Sequence, residues 1–131
     1  MTATGSVLID TTVAIAHFRG GDPVSHKLAE CESVYLPVVA LGELYHGAYK
    51  SVHREKQLRQ LVEFLPGVTV LDVDAGTADH YGRLRAALAK AGTPIPENDV
   101  WIAALARQHE LPLATRDGHF ALPLGVTVMF W

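Results

Sequence analysis

The sequence contains almost no cysteine, no long hydrophobic segment and no excess of basic charge. Cys31 is the only cysteine among 131 residues, which rules out an internal disulfide and a cluster of thiolate metal ligands. No apolar run reaches the roughly 18–20 residues needed to span a bilayer, and the segment MTATGSVLIDTT lacks the basic and apolar regions of a signal peptide. These absences predict a cytoplasmic protein without a membrane segment.

The composition is that of a folded domain rather than a disordered chain. Hydrophobic residues make up 49% of the sequence and charged residues 19%, which are typical globular values. The length suits one hydrophobic core, so we expect residues 1–131 to form a single domain. The formal net charge of −3 argues against a strongly basic nucleic-acid-binding domain. It leaves room for an enzyme acting on nucleic acid, because acidic site residues lower the total while basic residues cluster locally.

Short apolar segments alternate with amphipathic segments along the chain. The pattern predicts strands at 6–10, 33–36, 68–73, 111–114 and 126–130, and helices at 13–19, 24–31, 37–51, 54–65, 74–91 and 99–109. We expect Thr11 or Thr12 to cap the first helix and the Gly20–Pro23 segment to end it. Strands alternating with helices favour an α/β fold, with a central parallel sheet of about five strands flanked by helices.

Four acidic residues lie in or beside apolar or small-residue segments, where carboxylates are uncommon. Asp10 ends the first strand, and Asp117 follows the fourth. Glu43 and Asp99 lie on predicted helices, with apolar or small residues at the positions that share their faces. A charge beside a hydrophobic run is costly unless it is paired, hydrogen-bonded or bound to a metal. We therefore predict that these four side chains meet in one site.

Three of these acids also have a structural explanation when each is considered alone. Asp10 is a residue type that often caps a helix, and Asp99 is placed to interact with the positive end of a helix dipole. Asp117 precedes a glycine, which is typical of a turn. The joint pattern favours a functional cluster. Such a cluster needs divalent cations, and without them at least one of the acids should have a raised pKa.

Three segments carry a resemblance to a known family. They are LIDTTVAIAHFRG, ALGELYHGA and PENDVWIAALARQHELPLATRDGHF. The sequence resembles the PIN-domain ribonucleases, and within them the VapC-like toxins of toxin–antitoxin pairs. The resemblance implies a metal-dependent endoribonuclease in which Asp10, Glu43, Asp99 and Asp117 are catalytic and metal-binding residues, with Thr115 in support. It also implies a cognate antitoxin.

The residue types suit the chemistry that this resemblance implies. Carboxylates prefer hard cations such as Mg²⁺ or Mn²⁺. One ion can lower the pKa of bound water, and a second, about 4 Å away, can stabilise the leaving oxygen. We therefore expect one or two Mg²⁺ or Mn²⁺ ions. The sequence departs from the family pattern where Thr12 replaces a frequent Asn and His119 replaces a frequent Asp, so that Asp117 is the one acid in its loop.

Basic residues follow the Glu43 segment and are candidates for RNA contacts. They are Lys50, His53, Arg54, Lys56 and Arg59, with Arg116 as a further candidate beside Asp117. A run of this kind is more often a solvated surface. It can also bind backbone phosphates, which gives affinity without base specificity. We predict substrate contacts from Thr115, Arg116, Lys50 and Arg54.

The helix that carries Glu43 has apolar or small residues around more than one face. They include Tyr45, Ala48 and Tyr49. One face can cover the sheet while another receives a partner helix, so we expect a homodimer and an antitoxin-binding surface. Two alternatives keep the same fold: a housekeeping RNA-processing nuclease and a catalytically silent binding module. The segment 72–77 resembles a phosphatase nucleophile motif, but an extra Ala75 disturbs its spacing, and Asp74 is better explained as a helix cap.

Overall fold

Five parallel strands form one sheet in the computed structural model, which describes residues 5–20 and 23–131. The strands are β1 Ser6–Ile9, β2 Ser33–Pro37, β3 Thr69–Leu71, β4 Leu113–Thr115 and β5 Val128–Phe130. The helices in the described ranges are α1 Thr11–Arg19, α2 Pro23–Glu30, α3 Val38–Tyr49, α4 Arg54–Phe64, α5 Ala75–Ala91 and α6 Glu97–His109. The predicted α/β fold with a central parallel sheet is confirmed.

The order of the strands places a topological switch beside β1. The sheet runs β3-β2-β1-β4-β5 with every pair parallel. The chain therefore builds outward from β1 through β2 to β3, and then returns to the other side of β1 to add β4 and β5. Ligand sites in open α/β sheets lie at the carboxyl ends of the strands, at such a reversal of strand order. The residues that follow β1 and β4 thus lie where a site is expected.

The central strand is apolar because both of its faces are covered. Val7, Leu8 and Ile9 are completely buried, as expected for a strand in a parallel sheet with helices on both sides. Helix α6 is similarly enclosed, with a buried segment from Ile102 to Ala106. None of the helices in the described ranges combines the length and the apolar character needed to cross a membrane.

The first helix is capped by Asp10, as in the structural explanation offered for that residue, and not by Thr11 or Thr12. Asp10, rather than Thr11 or Thr12, is the N-cap of α1, and its Oδ1 accepts a hydrogen bond from the backbone N–H of Val13 at 3.1 Å. The prediction was wrong because the helix begins at Thr11, two residues earlier than expected. Gly20 follows the last residue of the helix, whereas Gly21 and Asp22 of the predicted break lie outside the described residues.

The helix α5 begins as the sequence predicted. Asp74 is its N-cap, and its side chain accepts a hydrogen bond from the backbone N–H of Thr77 while the Thr77 hydroxyl accepts one from the backbone N–H of Asp74. This reciprocal pair satisfies backbone N–H groups that the first turn of a helix leaves without partners. Asp74 is therefore engaged in helix capping.

The fourth strand begins later than the apolar pattern predicts. Leu111 donates its backbone N–H to the carbonyl of Ala106, so it still belongs to the turn that ends α6. That turn passes through Glu110, whose φ of 53° is in the left-handed region. The strand β4 then starts at Leu113 and pairs with β1 and β5. The shift leaves Thr115 as the last strand residue and Asp117 in the following loop.

Candidate metal centre

Asp10 lies at the carboxyl end of β1, almost completely enclosed. Its side chain is held by three donors: the Thr12 hydroxyl at 2.6 Å and the Val13 backbone N–H at 3.1 Å bind Oδ1, and the Thr115 hydroxyl binds Oδ2. Only 3% of the residue is exposed. The carboxylate thus caps α1 and is fixed in one orientation by donors from both α1 and β4. The structural and functional explanations of Asp10 are compatible with each other.

Glu43 reaches the same edge of the sheet from α3. The Thr11 hydroxyl donates a hydrogen bond to its Oε1 at 2.7 Å. Thr11 is the first residue of α1, so the hydrogen bond ties Glu43 to the residue that follows Asp10. The Glu43 side chain lines a pocket of about 350 Å³ together with Asp99 and Asp117.

Asp99 and Asp117 form the exposed part of the cluster with a histidine between them. Nδ1 of His119 lies 2.9 Å from Oδ1 of Asp117 and 3.3 Å from Oδ2 of Asp99. One donor atom from each of the three side chains lies within 4.8 Å of the other two. Asp99 is the more enclosed carboxylate, with 14% of its side chain exposed, and it lies in the first turn of α6. Its inward orientation agrees with the face predicted from the sequence.

Burial and the neighbouring carboxylates together raise the pKa of Asp99. The pKa of Asp99 is raised to about 6, mainly because burial disfavours the charged form and next because Asp117 is close. His119 lowers it, whereas Glu43 and Asp10 add smaller increases. The prediction that at least one acid has a raised pKa is therefore confirmed. It also follows that the four predicted acids are close enough to interact electrostatically.

The pKa of Asp10 is also raised, and burial is the principal cause. Hydrogen bonds from Thr115, Thr12 and Val13 oppose this effect, because each donor stabilises the ionised carboxylate. The charge of Asp117 adds a smaller increase. A buried carboxylate whose ionised form is stabilised by hydroxyl donors is suited to accept a cation.

The donor set fits a divalent metal ion. Carboxylate oxygens are the ligands preferred by Mg²⁺ and Mn²⁺. The donor atoms of Asp99, Asp117 and His119 are separated by distances that one ion, with ligands at roughly 2.1–2.2 Å, can bridge after small rotations. Asp10 and Glu43 lie outside this closest group, although both influence the pKa of Asp99. A cation at this position would offset their mutual repulsion.

The predicted substrate-contact residues occupy different environments. Thr115 is fully buried and donates its hydroxyl to Asp10, so it lies beneath the site and not on its surface. Arg54 directs Nε and Nη2 at the carbonyl of Tyr49, at 3.1 and 2.8 Å. Lys50 is exposed at the end of α3. Arg116 donates its backbone N–H to the Thr12 hydroxyl, which joins the loop after β4 to α1.

A groove between α1, α3 and α4 adjoins the acidic pocket. Its volume is about 520 Å³, and Glu43 lines both the groove and the pocket. The basic side chains along the groove are Arg19, His53 and Lys56. Arg19 also borders a smaller cleft with Thr12 and Arg116. His53 and Lys56 were among the basic candidates named from the sequence, whereas Arg19 was not.

Sequence reasoning missed the participation of Thr11, Arg19 and His119. Thr11 and Arg19 carried no signal, since their roles depend on how α1 packs against α3 and α4. His119 did carry a signal, because it stands where the family pattern often has an acid. It was noted as a departure from the pattern and not as a member of the cluster.

The comparison with protein families agrees with this fold. The PIN domain family matches residues 7–122. The chain belongs to the PIN-domain family. Among curated relatives, Ribonuclease VapC5 of Mycobacterium tuberculosis is 33% identical over 122 residues, covering 92% of this chain and 89% of the relative. Ribonuclease VapC2 of Haemophilus influenzae is 39% identical over 79 residues.

A solved PIN-domain structure supports the relationship at the level of the whole chain. It is a member of the VapBC family of toxin–antitoxin systems, VapBC-5 from Mycobacterium tuberculosis, with a TM-score of 0.76 and 31% identity. The match covers 95% of each chain. The curated relative from Haemophilus influenzae, Ribonuclease VapC2, matches over a shorter segment, which spans 60% of this chain and 60% of that protein.

Proposed function

We propose that this PIN-domain chain is a metal-dependent endoribonuclease that hydrolyses RNA phosphodiester bonds and acts as the toxin of a toxin–antitoxin pair. The observation that carries the proposal is the meeting of Asp10, Glu43, Asp99 and Asp117 at the switch point of the sheet. The names of the relatives, which are ribonucleases, support RNA as the substrate class.

Asp99 and Asp117 are the residues that would hold the metal most directly, with Asp10 and Glu43 beside them. Hard cations suit this set, so the proposed cofactor is Mg²⁺ or Mn²⁺, as one or two ions. Bound there, the ions would supply an activated water and would offset negative charge on the phosphoryl oxygens. Without a cation, burial first and the neighbouring carboxylates next disfavour the ionised form of Asp99, which raises its pKa.

The hydroxyls around Asp10 decide which of its atoms faces the site. Oδ1 accepts two hydrogen bonds, from Thr12 and Val13, which fill its two lone-pair directions. Oδ2 accepts one hydrogen bond from Thr115 and keeps a lone pair. Oδ2 is therefore the atom of Asp10 that is free to bind a cation or a water. Thr12 and Thr115 act as positioning residues in this proposal.

Glu43 and the adjoining groove would place the RNA strand. The Thr11 hydroxyl orients the Glu43 carboxylate between the groove and the acidic pocket. Arg19 and Lys56 lie along the groove and can bind backbone phosphates leading to the site. Lys50, Arg54 and Arg116 remain proposed phosphate contacts at its margin. A strand bound this way is held by its backbone, which suits single-stranded or looped RNA.

The proposed partners are a cognate antitoxin and a second copy of the chain. The solved VapBC-5 relative is described as a member of a toxin–antitoxin family, which supports an antitoxin partner. On this chain, Tyr49 and Val52 leave apolar surface exposed at and just beyond the end of α3. Apolar surface of this kind is typical of interaction sites. A cytoplasmic location is part of the same proposal.

The test is cleavage of a single-stranded RNA oligonucleotide by the purified chain, with Mg²⁺, with Mn²⁺ and with excess chelator. D10N and D99N keep the side-chain shape but remove the charge that would hold the cation, so we expect cleavage to be lost in both. D79N is the matched control, because Asp79 lies on the exposed side of α5. Cleavage that persists in chelator would refute the metal mechanism. An inactive wild type in both metals would instead favour the silent binding module.

A further inference from the structure

The position of His119 suggests a role that the acidic residues do not explain. Its side chain is half exposed, yet its Nδ1 atom faces inward between Asp99 and Asp117. It lines the same pocket as these two acids and Glu43. One atom of the ring is therefore close to both carboxylates at once.

The local backbone holds the ring in that position. Oδ1 of Asp117 accepts a hydrogen bond from the backbone N–H of His119 at 2.9 Å. On the other side, Phe120 is buried in the core. The side chain of His119 thus projects from a short 3₁₀ turn, Gly118–Phe120, that is anchored at both ends. A ring fixed in this way can serve as a ligand with little further ordering.

We propose that His119 is a nitrogen ligand of the metal centre, together with Asp99 and Asp117, and that it biases the centre toward Mn²⁺ over Mg²⁺. This inference rests on the proposed function, since it concerns the same metal. Imidazole nitrogen suits transition ions, whereas Mg²⁺ retains oxygen ligands and water. An ion at this point would take the lone pair of Nδ1, so the neutral ring would carry its proton on Nε2.

The decisive measurement is electron spin-echo spectroscopy of Mn²⁺ bound to the full-length chain, which detects coupling to a directly bound ¹⁴N nucleus. We expect this coupling in the wild type and in the control H26A, because His26 is exposed on α2. We expect it to be absent from H119A and H119D. Wild-type protein that binds Mn²⁺ without any ¹⁴N coupling would overturn the proposal.

Titration calorimetry with Mn²⁺ and with Mg²⁺ gives a second readout. In H119A, the Mn²⁺ affinity should fall on the order of tenfold or more. Losses of this size follow even the removal of a residue that only hydrogen-bonds to a metal ligand. In H119D, where an oxygen donor replaces the nitrogen, Mg²⁺ affinity should be retained or improved while the preference for Mn²⁺ declines. An unchanged Mn²⁺-to-Mg²⁺ affinity ratio in H119D would contradict the proposed bias. Circular dichroism confirms that each variant is folded.

Failure of this inference can be distinguished from failure of the proposed function. D99N should abolish Mn²⁺ binding if the acids form the metal site at all. If Mn²⁺ binds in a manner that depends on Asp99 but not on His119, then only the histidine ligand is refuted. If Mn²⁺ does not bind the wild type, both the proposed metal mechanism and the histidine ligand are refuted.

Discussion

The hydroxyl of Thr115 donates a hydrogen bond to Oδ2 of Asp10, across a separation of 105 positions in the chain. Thr115 is the last residue of β4, and Asp10 follows the last residue of β1. The same hydroxyl accepts the backbone N–H of Asp117 at 2.9 Å. One buried threonine therefore connects two of the proposed metal ligands.

Replacing this threonine with an isosteric apolar residue should weaken both the fold and the metal site. In T115V, the buried carboxylate of Asp10 loses a donor, so the free energy of unfolding should fall by about 1–3 kcal/mol. Mn²⁺ affinity should fall as well, because Oδ2 is no longer oriented. T69V, on the exposed side of β3, is the matched control. Denaturant unfolding measures the change in stability, and calorimetry measures the change in Mn²⁺ affinity. If T115V has the same stability and the same Mn²⁺ affinity as the wild type, Thr115 is not a positioning residue.

The metal-free protein should lose stability as the pH rises from about 4 to about 6. Asp99 has an ordinary pKa of 3.8 in the unfolded chain and a pKa of about 6 in the fold. In this window the folded state retains a proton that the unfolded state has released, so the free energy of unfolding decreases with pH. The cost above pH 6 is at most about 3 kcal/mol, at roughly 1.4 kcal/mol per pKa unit.

The variant D99N isolates this effect. With chelator present, it should be more stable than the wild type at pH 7 and should show a flatter dependence between pH 4 and 6. The flattening is partial, because Asp10 also has a raised pKa. D79N should follow the wild-type curve. A D99N variant that is less stable at pH 7 would indicate that Asp99 is mainly a structural residue.

The salt dependence of RNA binding can show whether the RNA contacts the groove or the basic residues that follow α3. The double variant R19A/K56A removes charges along the groove, and K50A/R54A removes charges from the end of α3 and the start of α4. Each lost phosphate contact should reduce the slope of log affinity against log salt by roughly 0.7 for a single strand. Binding is measured in a D99N background, so that RNA stays intact. We expect the larger reduction for R19A/K56A, and the reverse order would place the strand outside the groove.

Assembly is better tested at Tyr49 than at Ala48. Both residues lie on α3, but only 1% of Ala48 is exposed, so a charge there would disturb the core. Tyr49 is 54% exposed and Val52 is 94% exposed. Y49E should therefore shift a dimer toward monomer while the fold is kept, with V73E as an exposed control on another surface. Light scattering that shows a monomeric wild type at high concentration would contradict the dimer.

Co-purification tests the antitoxin separately from the dimer. The product of a short gene adjacent to this one should bind the chain and suppress RNA cleavage, because in a toxin–antitoxin pair the partner inhibits the toxin. An adjacent product that fails to bind would contradict the toxin assignment. It would favour the housekeeping nuclease if cleavage itself is observed.

The fold and most of the acidic site could be predicted because they depend on local pattern. Buried strands such as β1 appear as continuous apolar runs, and the inward position of Asp99 follows from the periodicity of its helix. The capping role of Asp10 and the late start of β4 could not be fixed, because helix and strand ends depend on single hydrogen bonds such as that from Leu111 to Ala106. The sequence marked His119 as a departure from the family pattern, but the position of its ring beside Asp99 could not be predicted, since it depends on the geometry of a three-residue turn.

The position of β1 between β2 and β4 also determines at which stage of protein synthesis the acidic site can assemble. During synthesis, the segment containing Asp10 and Glu43 emerges early, and β1 can pair with β2 as soon as both are outside the ribosome. The carboxylate of Asp117 joins them only after β4 has been made and has docked on the other side of β1. Contacts between such distant parts of a chain form late in folding. A growing chain therefore has no assembled site until nearly all of it has been translated.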